Sequence, residues 1–420
     1  MREMKDSGIE WIGKIPNNWR ITRIKYVCNS RSEKAFFKHE TDSYLGLENV
    51  VGFSDKIIET DTTYADGYYD TYKAGDVLFN KLRPYLGKVI IASADGFCTG
   101  EFVKLFNYQG DRRYLRYWMI DEQFITEVDN STYGAKMPRA NPEFVLNMPI
   151  PVIPYIEQFA ISNYLDTKCA EIDALAADIQ SQIDTLEQYK RSVITEAVTK
   201  GLNKNVEMKE SGFEWLGFIP STWQTRKGKY IFVQRNERGN SIELQLLSPT
   251  QKYGVIPQDL YEEISGYKAV KLDEKTDYSL LKTIHKGDYC ISLRSFQGGF
   301  EYSEYEGVVS PAYQVFYPVI EVSRGYYKYL FKTQIFIDKM NSFTMSLRDG
   351  KNIAFADFGN TYLPIPPIQE QQRIADYLDS KCAEIDSIIT EKKQQIETIV
   401  EYKKSLIFEY VTGKKEVPDV

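Results

Sequence analysis

Among the 420 residues there are only five cysteines (28, 98, 169, 290 and 382), two histidines (39 and 285) and no Cys-x-x-Cys pair. That spacing excludes a disulfide framework and a zinc site, and a metal is not expected. Neither histidine has an acid or nucleophile pattern around it, so no catalytic residue is assigned. Excess positive charge is also missing. The chain has 52 Lys+Arg against 59 Asp+Glu, a net charge of −7. Residues 17–156 hold 17 basic against 18 acidic groups, and residues 201–369 hold 20 against 19. A uniformly polycationic nucleic-acid binder is excluded, and any DNA contact has to come from local patches or from a partner. No apolar run reaches the ~20 residues that cross a bilayer, and no secretory leader is recognisable. A cytoplasmic protein with no membrane contact is expected.

Two stretches lack proline, and they lack glycine before their last residue. They are Glu157–Lys200 and Glu370–Gly413, and they are copies of each other, with 22 of 44 aligned positions identical at an offset of 213. In the first, apolar residues recur at a 4-3 spacing: Leu165, Cys169, Ile172, Ala176, Ile179, Ile183, Leu186, then Val193 and Ala197. The second reads Leu378, Cys382, Ile385, Ile389, Ile396, Ile399 and Leu406, with Lys392 standing where the first copy has Ile179. This spacing predicts two coiled-coil helices, each roughly 65 Å long at ~1.5 Å per residue, that bury their stripes on each other. Cys169 and Cys382 read as small core hydrophobes, and the Lys392 stem is expected to snorkel.

A second motif is doubled: Met4–Trp19 reads MKDSGIEWIGKIPNNW, and Met208–Trp223 reads MKESGFEWLGFIPSTW. The chain is therefore a tandem repeat of docking segment, variable globular segment, Pro-rich bridge and long helix. The docking segments are expected to be irregular, anchored by Trp and Ile. In each globular segment, β-branched and aromatic runs alternate with turn signals, followed by a helix at about 111–128 in the first and 325–340 in the second. Gly75-Asp76 aligns with Gly287-Asp288, but otherwise the globular segments are poorly alike. The bridges MPIPVIPYIEQ and LPIPPIQEQ read as stiff hinges before each helix. Gly201 reads as the C′ glycine of the first helix, and the tail after Thr412 as frayed. The fold class is α+β, with two globular α/β domains joined by two long antiparallel coiled-coil helices in a pseudo-twofold tandem repeat. The boundaries are 1–19, 20–154, 155–201, 202–223, 224–367, 368–413 and 414–420.

Two apparent sites are declined. Gly8–Lys14 has phosphate-loop spacing, but Ile15 follows the lysine and the repeat puts Phe218 in the lysine position. Asn141-Pro142-Glu143-Phe144 is similar to the Asn-Pro-Pro-aromatic loop of amino-methyltransferases, but Glu143 replaces the second proline and no Gly-rich cofactor loop precedes it. More informative are four basic, polar clusters at corresponding places. They comprise Lys81, Arg83 and Tyr85; Lys136 and Arg139; Arg294, Ser295 and Gln297; and Arg348, Lys351 and Asn352. These side-chain types read base edges and hold phosphates, so they are candidate DNA-binding residues.

The doubled EW(I/L)GxIPxxW, the Pro bridge followed by Glu-Gln, and the helix YLDxKCAEID…YKxSxIxExVT resemble the specificity subunit of type I restriction–modification systems across essentially the whole chain. The resemblance implies a non-catalytic DNA-recognition subunit without a cofactor of its own. Its two target recognition domains would each read half of a split, asymmetric site in double-stranded DNA. The paired helices would set the spacing and dock two modification (methyltransferase) subunits, and restriction (motor/nuclease) subunits would complete the complex. Two other readings are a self-contained methyltransferase or nuclease, and a coiled-coil scaffold without sequence reading. The first would require cofactor or metal motifs. The second leaves two diverged domains with basic loops unexplained. If the halves are equivalent, the helices run antiparallel and the chain's two ends meet.

Overall fold

The structure is a computed structural model, and it describes residues 2–39, 42–134, 136–239, 244–268, 277–292, 299–343 and 353–418. The two long helices span Tyr155–Lys200 and Ile368–Val411. Pro154 and Pro367 immediately precede them, where a missing N–H costs nothing. Gly201 (φ 75°) and Gly413 (φ 70°) follow them in the left-handed conformation that closes a helix C-terminus. The chain divides into two compact units, residues 1–180 with 393–420, and residues 181–392. The dividing lines fall inside both long helices, so each unit owns half of each and cuts across the segments read from the sequence.

In the first unit the helix halves run antiparallel, with Tyr164 on Tyr410 (centroids 4.5 Å) and Lys403 bonded to Asp173 at 2.7 Å. In the second they again run antiparallel, with Lys190 on Asp386 at 2.5 Å and Lys392 donating to Gln182 at 2.5 Å. Lys392 is half-buried, and its ammonium reaches a polar partner. Burial along the stripe is uneven. Leu165, Ile179, Leu378, Ile385 and Leu406 are buried, whereas Ile172, Leu186, Val193, Ile396 and Ile399 are half-buried. A two-stranded seam shields its residues only partly. Leu165 and Leu406 are deeper because they also belong to the first unit's globular core, as Leu378 belongs to the second's. Burial pushes the Cys169 thiol up to about 11 and raises that of Cys382, so both behave as apolar filler.

The first unit's main sheet is antiparallel, in the spatial order Asn29–Arg31, Phe102–Phe106, Val77–Asn80, Val89–Ile91. Val77, Phe79, Val103 and Leu105 face a core with Trp118 and Phe124. Leu78, Ile90 and Phe102 face a second cluster with Leu45, Val50 and Cys98. Being covered on both sides, Val77–Asn80 is buried at every position. The second unit repeats this order with Phe232–Gln234, Gln314–Pro318, Tyr289–Ile291 and Phe300–Tyr302. The kinship of the globular segments thus extends beyond the few landmarks seen in sequence. It was hidden because Phe232, Tyr289, Phe300 and Phe316 fill the core face of the second sheet where Val77, Val89, Val103 and Leu105 line that of the first beside Phe79. Divergence is real in the accessory strands. The first unit has a four-stranded sheet of Lys34–Phe37, Gly67–Tyr72, Gly96–Cys98 and Tyr44–Leu45. The second has two separate pairs, Leu247–Thr250 with Gly254–Pro257 and Lys282–Ile284 with Gly307–Val309.

The structure corrects several expectations. The docking segments are regular hairpins, Met4–Asp6 with Lys14–Pro16 and Met208–Glu210 with Phe218–Pro220. Each Pro bridge begins as a strand: Pro149–Val152 pairs with Arg20–Arg23, and Tyr362–Ile365 with Gln224–Lys227. Two-stranded ribbons accommodate proline because much of their edge needs no donor. The single helix expected over 111–128 is two, Arg112–Ile120 and Glu122–Asn130. Between them Asp121 takes an extended ψ of 136° and its carboxylate accepts from the Gln123 and Phe124 amides, starting the second helix at its own cap. The helix expected over 325–340 is likewise divided, into Arg324–Leu330 and Gln334–Asn341. The polar tail is held: Lys414 donates to the Ile12 carbonyl at 2.7 Å and Lys415 pairs with Glu409. Arg2 reaches Glu416 at 3.6 Å, so the beginning and end of the chain lie together.

Candidate nucleic-acid interface

The scaffold under the candidate loops is the same in both units. In the first, the Trp19 indole donates to Glu157 at 3.1 Å, and Gln158 accepts from the Asp111 amide at 2.9 Å while donating to the Ile153 carbonyl. Tyr114 donates to the Val411 carbonyl and Tyr117 to Asp166. In the second, Trp223 donates to Glu370 at 3.0 Å, and Gln371 accepts from Ser323 and donates to Pro366. Tyr326 donates to Val198 and Tyr329 to Asp379. The Glu-Gln after each Pro bridge is thus a clamp. The acid fixes the docking segment's tryptophan, and the amide fixes the entry of a helix in the globular domain. Tyr114 and Tyr326 are fully buried, so each lost bond would strand a carbonyl away from water.

The Gly-Asp turn is a second repeated device. Gly75 (φ 85°) and Gly287 (φ 91°) adopt a conformation that other residues rarely take. Asp76 accepts from the Lys73 amide and from Arg31, whose guanidinium lies 4.3 Å from the Phe106 ring. Asp288 accepts from the His285 amide and from Arg235, which lies 4.3 Å from Tyr317. The turn fixes the start of the strand that carries the next loop.

In the first unit that loop is where the candidates converge. The Asn80 side chain closes it by accepting from the Leu82 amide and donating to the Leu82 carbonyl. Arg83 is left-handed (φ 52°) and begins a single turn over Pro84–Leu86. The loop after the Glu122–Asn130 helix folds against it. The Arg83 amide donates to Pro138, the Ala140 amide to Lys81, and Arg139 exchanges both backbone bonds with Tyr133. The two clusters read separately in the sequence therefore form one patch. The side chains of Lys81, Arg83 and Lys136 have no hydrogen-bond or ion-pair partner among the described residues, and Tyr85, Tyr133 and Met137 are exposed beside them. Arg139 differs, because its Nε and Nη2 are bonded to the Glu101 carboxylate at 2.9–3.1 Å. Arg294, Ser295, Gln297, Arg348, Lys351 and Asn352 lie outside the described residues. Next to them, Gln314 bonds the Ile353 carbonyl and the Phe355 amide, anchoring the chain after the last of these clusters.

The declined motifs have local roles. Gly8–Lys14 is the turn of the docking hairpin, with its amides spent internally: Gly13 donates to Ile9 and Ser7 to Gly13. Asn141 caps the short Pro142–Asn147 helix by accepting from the Glu143 amide. No group of three or more potential metal ligands occurs among the described residues, and none of the described helices is long and apolar enough to cross a membrane.

Residues 220–398 match the family described as type I restriction modification DNA specificity domain. In sequence and in fold, the chain is similar to specificity subunits of type I restriction–modification systems. The specificity subunit of the Methanocaldococcus jannaschii enzyme MjaVIII is 24% identical over 97% of this chain and 95% of its own length. The specificity subunit of the Escherichia coli enzyme EcoDI is 25% identical over 44% of this chain, a match spanning 42% of that relative. In fold, the chain is similar to a subunit in a structure describing complex assembly and conformational transition of the type I R-M system. That likeness has a TM-score of 0.70 at 14% identity, over 96% of this chain and 99% of the other. It is also similar to the HsdS subunit from Thermoanaerobacter tengcongensis, with a TM-score of 0.51 at 15% identity, over 96% and 98%. In this chain, sequence reading missed Glu101 and Tyr133. A lone acid before a strand carries no signal until the fold brings a distant arginine to it.

Proposed function

We propose that this chain is the DNA sequence-recognition subunit of a type I restriction–modification complex. Each globular domain reads one half of a bipartite, asymmetric site in double-stranded DNA. The paired helices set the spacing and dock two modification subunits, with restriction subunits completing the assembly. The segment boundaries read from the sequence are the proposed functional divisions. The subunit itself is non-catalytic and acts in the cytoplasm; methyl transfer and cleavage belong to its partners. The observation that carries this reading is the patch of Lys81, Arg83 and Lys136, three cationic side chains without partners among the described residues on an otherwise charge-balanced domain. Unpaired cations on a rigid strand-end loop suit phosphates and base edges. The equivalent clamps in both units support a pair of readers built on one plan.

The deciding experiment is methylome sequencing of a host with and without this gene. A split motif that appears only with the gene is expected; an unchanged methylome contradicts the proposal. Tight binding of S-adenosylmethionine by the purified chain would favour a self-contained methyltransferase instead.

A further inference from the structure

Arg139 is the one arginine of the patch whose guanidinium is already engaged. Glu101 binds it side-on, through Nε (3.1 Å to both carboxylate oxygens) and Nη2 (2.9 Å). This leaves the opposite, end-on edge of the fork, formed by Nη1 and the second Nη2 hydrogen, without a partner among the described residues. The backbone on either side is fixed as well. Arg139 exchanges two bonds with Tyr133, and the Glu101 carbonyl accepts from the Lys81 amide at 2.9 Å. The backbone bonds fix the main chain of both residues, and the partly exposed ion pair is oriented by its own hydrogen bonds.

A neutralised arginine is a poor phosphate ligand, because the adjacent carboxylate repels the anion that the guanidinium attracts. A neutral acceptor pair does not feel that repulsion. Of the base edges in the major groove, guanine alone offers two adjacent acceptors, O6 and N7, which match the end-on edge of the fork. We propose that Glu101 is a positioning residue that orients Arg139 to read one guanine, while the unpaired Lys81, Arg83 and Lys136 hold phosphates. This rests on the proposed DNA-reading function and deepens it by dividing the patch into a base reader and a backbone grip.

The test is methylome sequencing of a host carrying the gene with the genes of its partner subunits, using the wild-type chain, Glu101→Ala, Glu101→Gln and Arg139→Lys. In Glu101→Ala, discrimination at a single G·C position should fall roughly 10-fold or more while the rest of the motif is kept. Arg139→Lys keeps the charge but loses the fork and should relax the same position. Glu101→Gln keeps one acceptor and should fall between. Unaltered preference at every position, or an equal loss across the whole motif, would overturn the inference. If the wild-type chain gives no split motif, the proposed function itself fails, an outcome distinct from unresponsive variants.

Discussion

At the residue scale, charges in this chain fall into those held by the fold and those left over. Arg31, Arg113, Arg139, Arg235, Lys104 and Lys403 are each tied to a carboxylate within 3.1 Å. Lys81, Arg83 and Lys136 are not. Lys81→Ala or Arg83→Ala should therefore weaken DNA association at all sequences alike and lower the salt dependence by about one unit of slope each. Titrating binding of the assembled complex against salt checks this, and an unchanged slope would remove them from the phosphate grip. A second residue-scale prediction concerns Glu301. It is 1% exposed and bonded to Lys332 at 2.6 Å, yet burial outweighs the lysine and pushes its carboxyl up to about 7. A carboxyl raised on folding binds more protons in the folded than the unfolded state between its ordinary value and 7. Stability is thus highest at the acid end of that window and falls as pH rises through it. Glu301→Gln should flatten this decline, by up to a few kcal/mol between pH 5 and pH 8. Thermal unfolding at both pH values reads it directly, and an equally steep decline in the variant would assign the pH dependence elsewhere.

At the scale of elements, the long helices were legible because two signals agreed: heptad spacing and the absence of helix breakers from Glu157 to Lys200. The docking hairpins were not, because three-residue strands such as Met4–Asp6 offer no periodicity to detect. The break at Asp121 was masked by the apolar residues on both sides of it, and only its cap geometry divides the helix. Among the site residues, the chemistry of Lys81, Arg83, Lys136 and Arg139 was readable, whereas their convergence depended on Arg139 pairing with Tyr133 and Leu82. The stripe itself predicts unequal costs. Leu165 is fully buried in a domain core, and Leu165→Ala should cost ~2–5 kcal/mol. Leu186→Ala, at a half-buried position, should cost clearly less. Denaturant unfolding of both variants compares them; equal losses would mean that the middle of the pair is as enclosed as its ends.

For the whole molecule, each long helix is continuous through the line dividing the two units. If the helices measure the gap in the DNA site, a seven-residue in-register insertion in both should preserve the stripe and add roughly 10 Å to each, equivalent to about three base pairs. The bases read in each half should stay the same while the preferred gap lengthens, although rotation about the duplex will cost affinity. Site selection from a random DNA pool would show it. An unchanged gap in a well-folded variant would mean that something else sets the separation. A four-residue insertion places polar positions in the stripe and should lose stability.

The interleaving of the units also has a temporal consequence. The second unit is one uninterrupted run of chain, 181–392, and all its partners have emerged once that run has been made. The first is assembled from residues 1–180 and 393–420, so Tyr114 waits for the Val411 carbonyl and Ile12 for Lys414 until the ribosome has finished everything between. The early-made domain thus spends most of translation with an uncovered apolar flank where Leu406, Ile407 and Tyr410 will later lie. Contacts of such long sequence separation form slowly, and exposed apolar surface on a nascent chain invites aggregation. The part made first is the part completed last, and it is the half that would depend most on chaperones during synthesis.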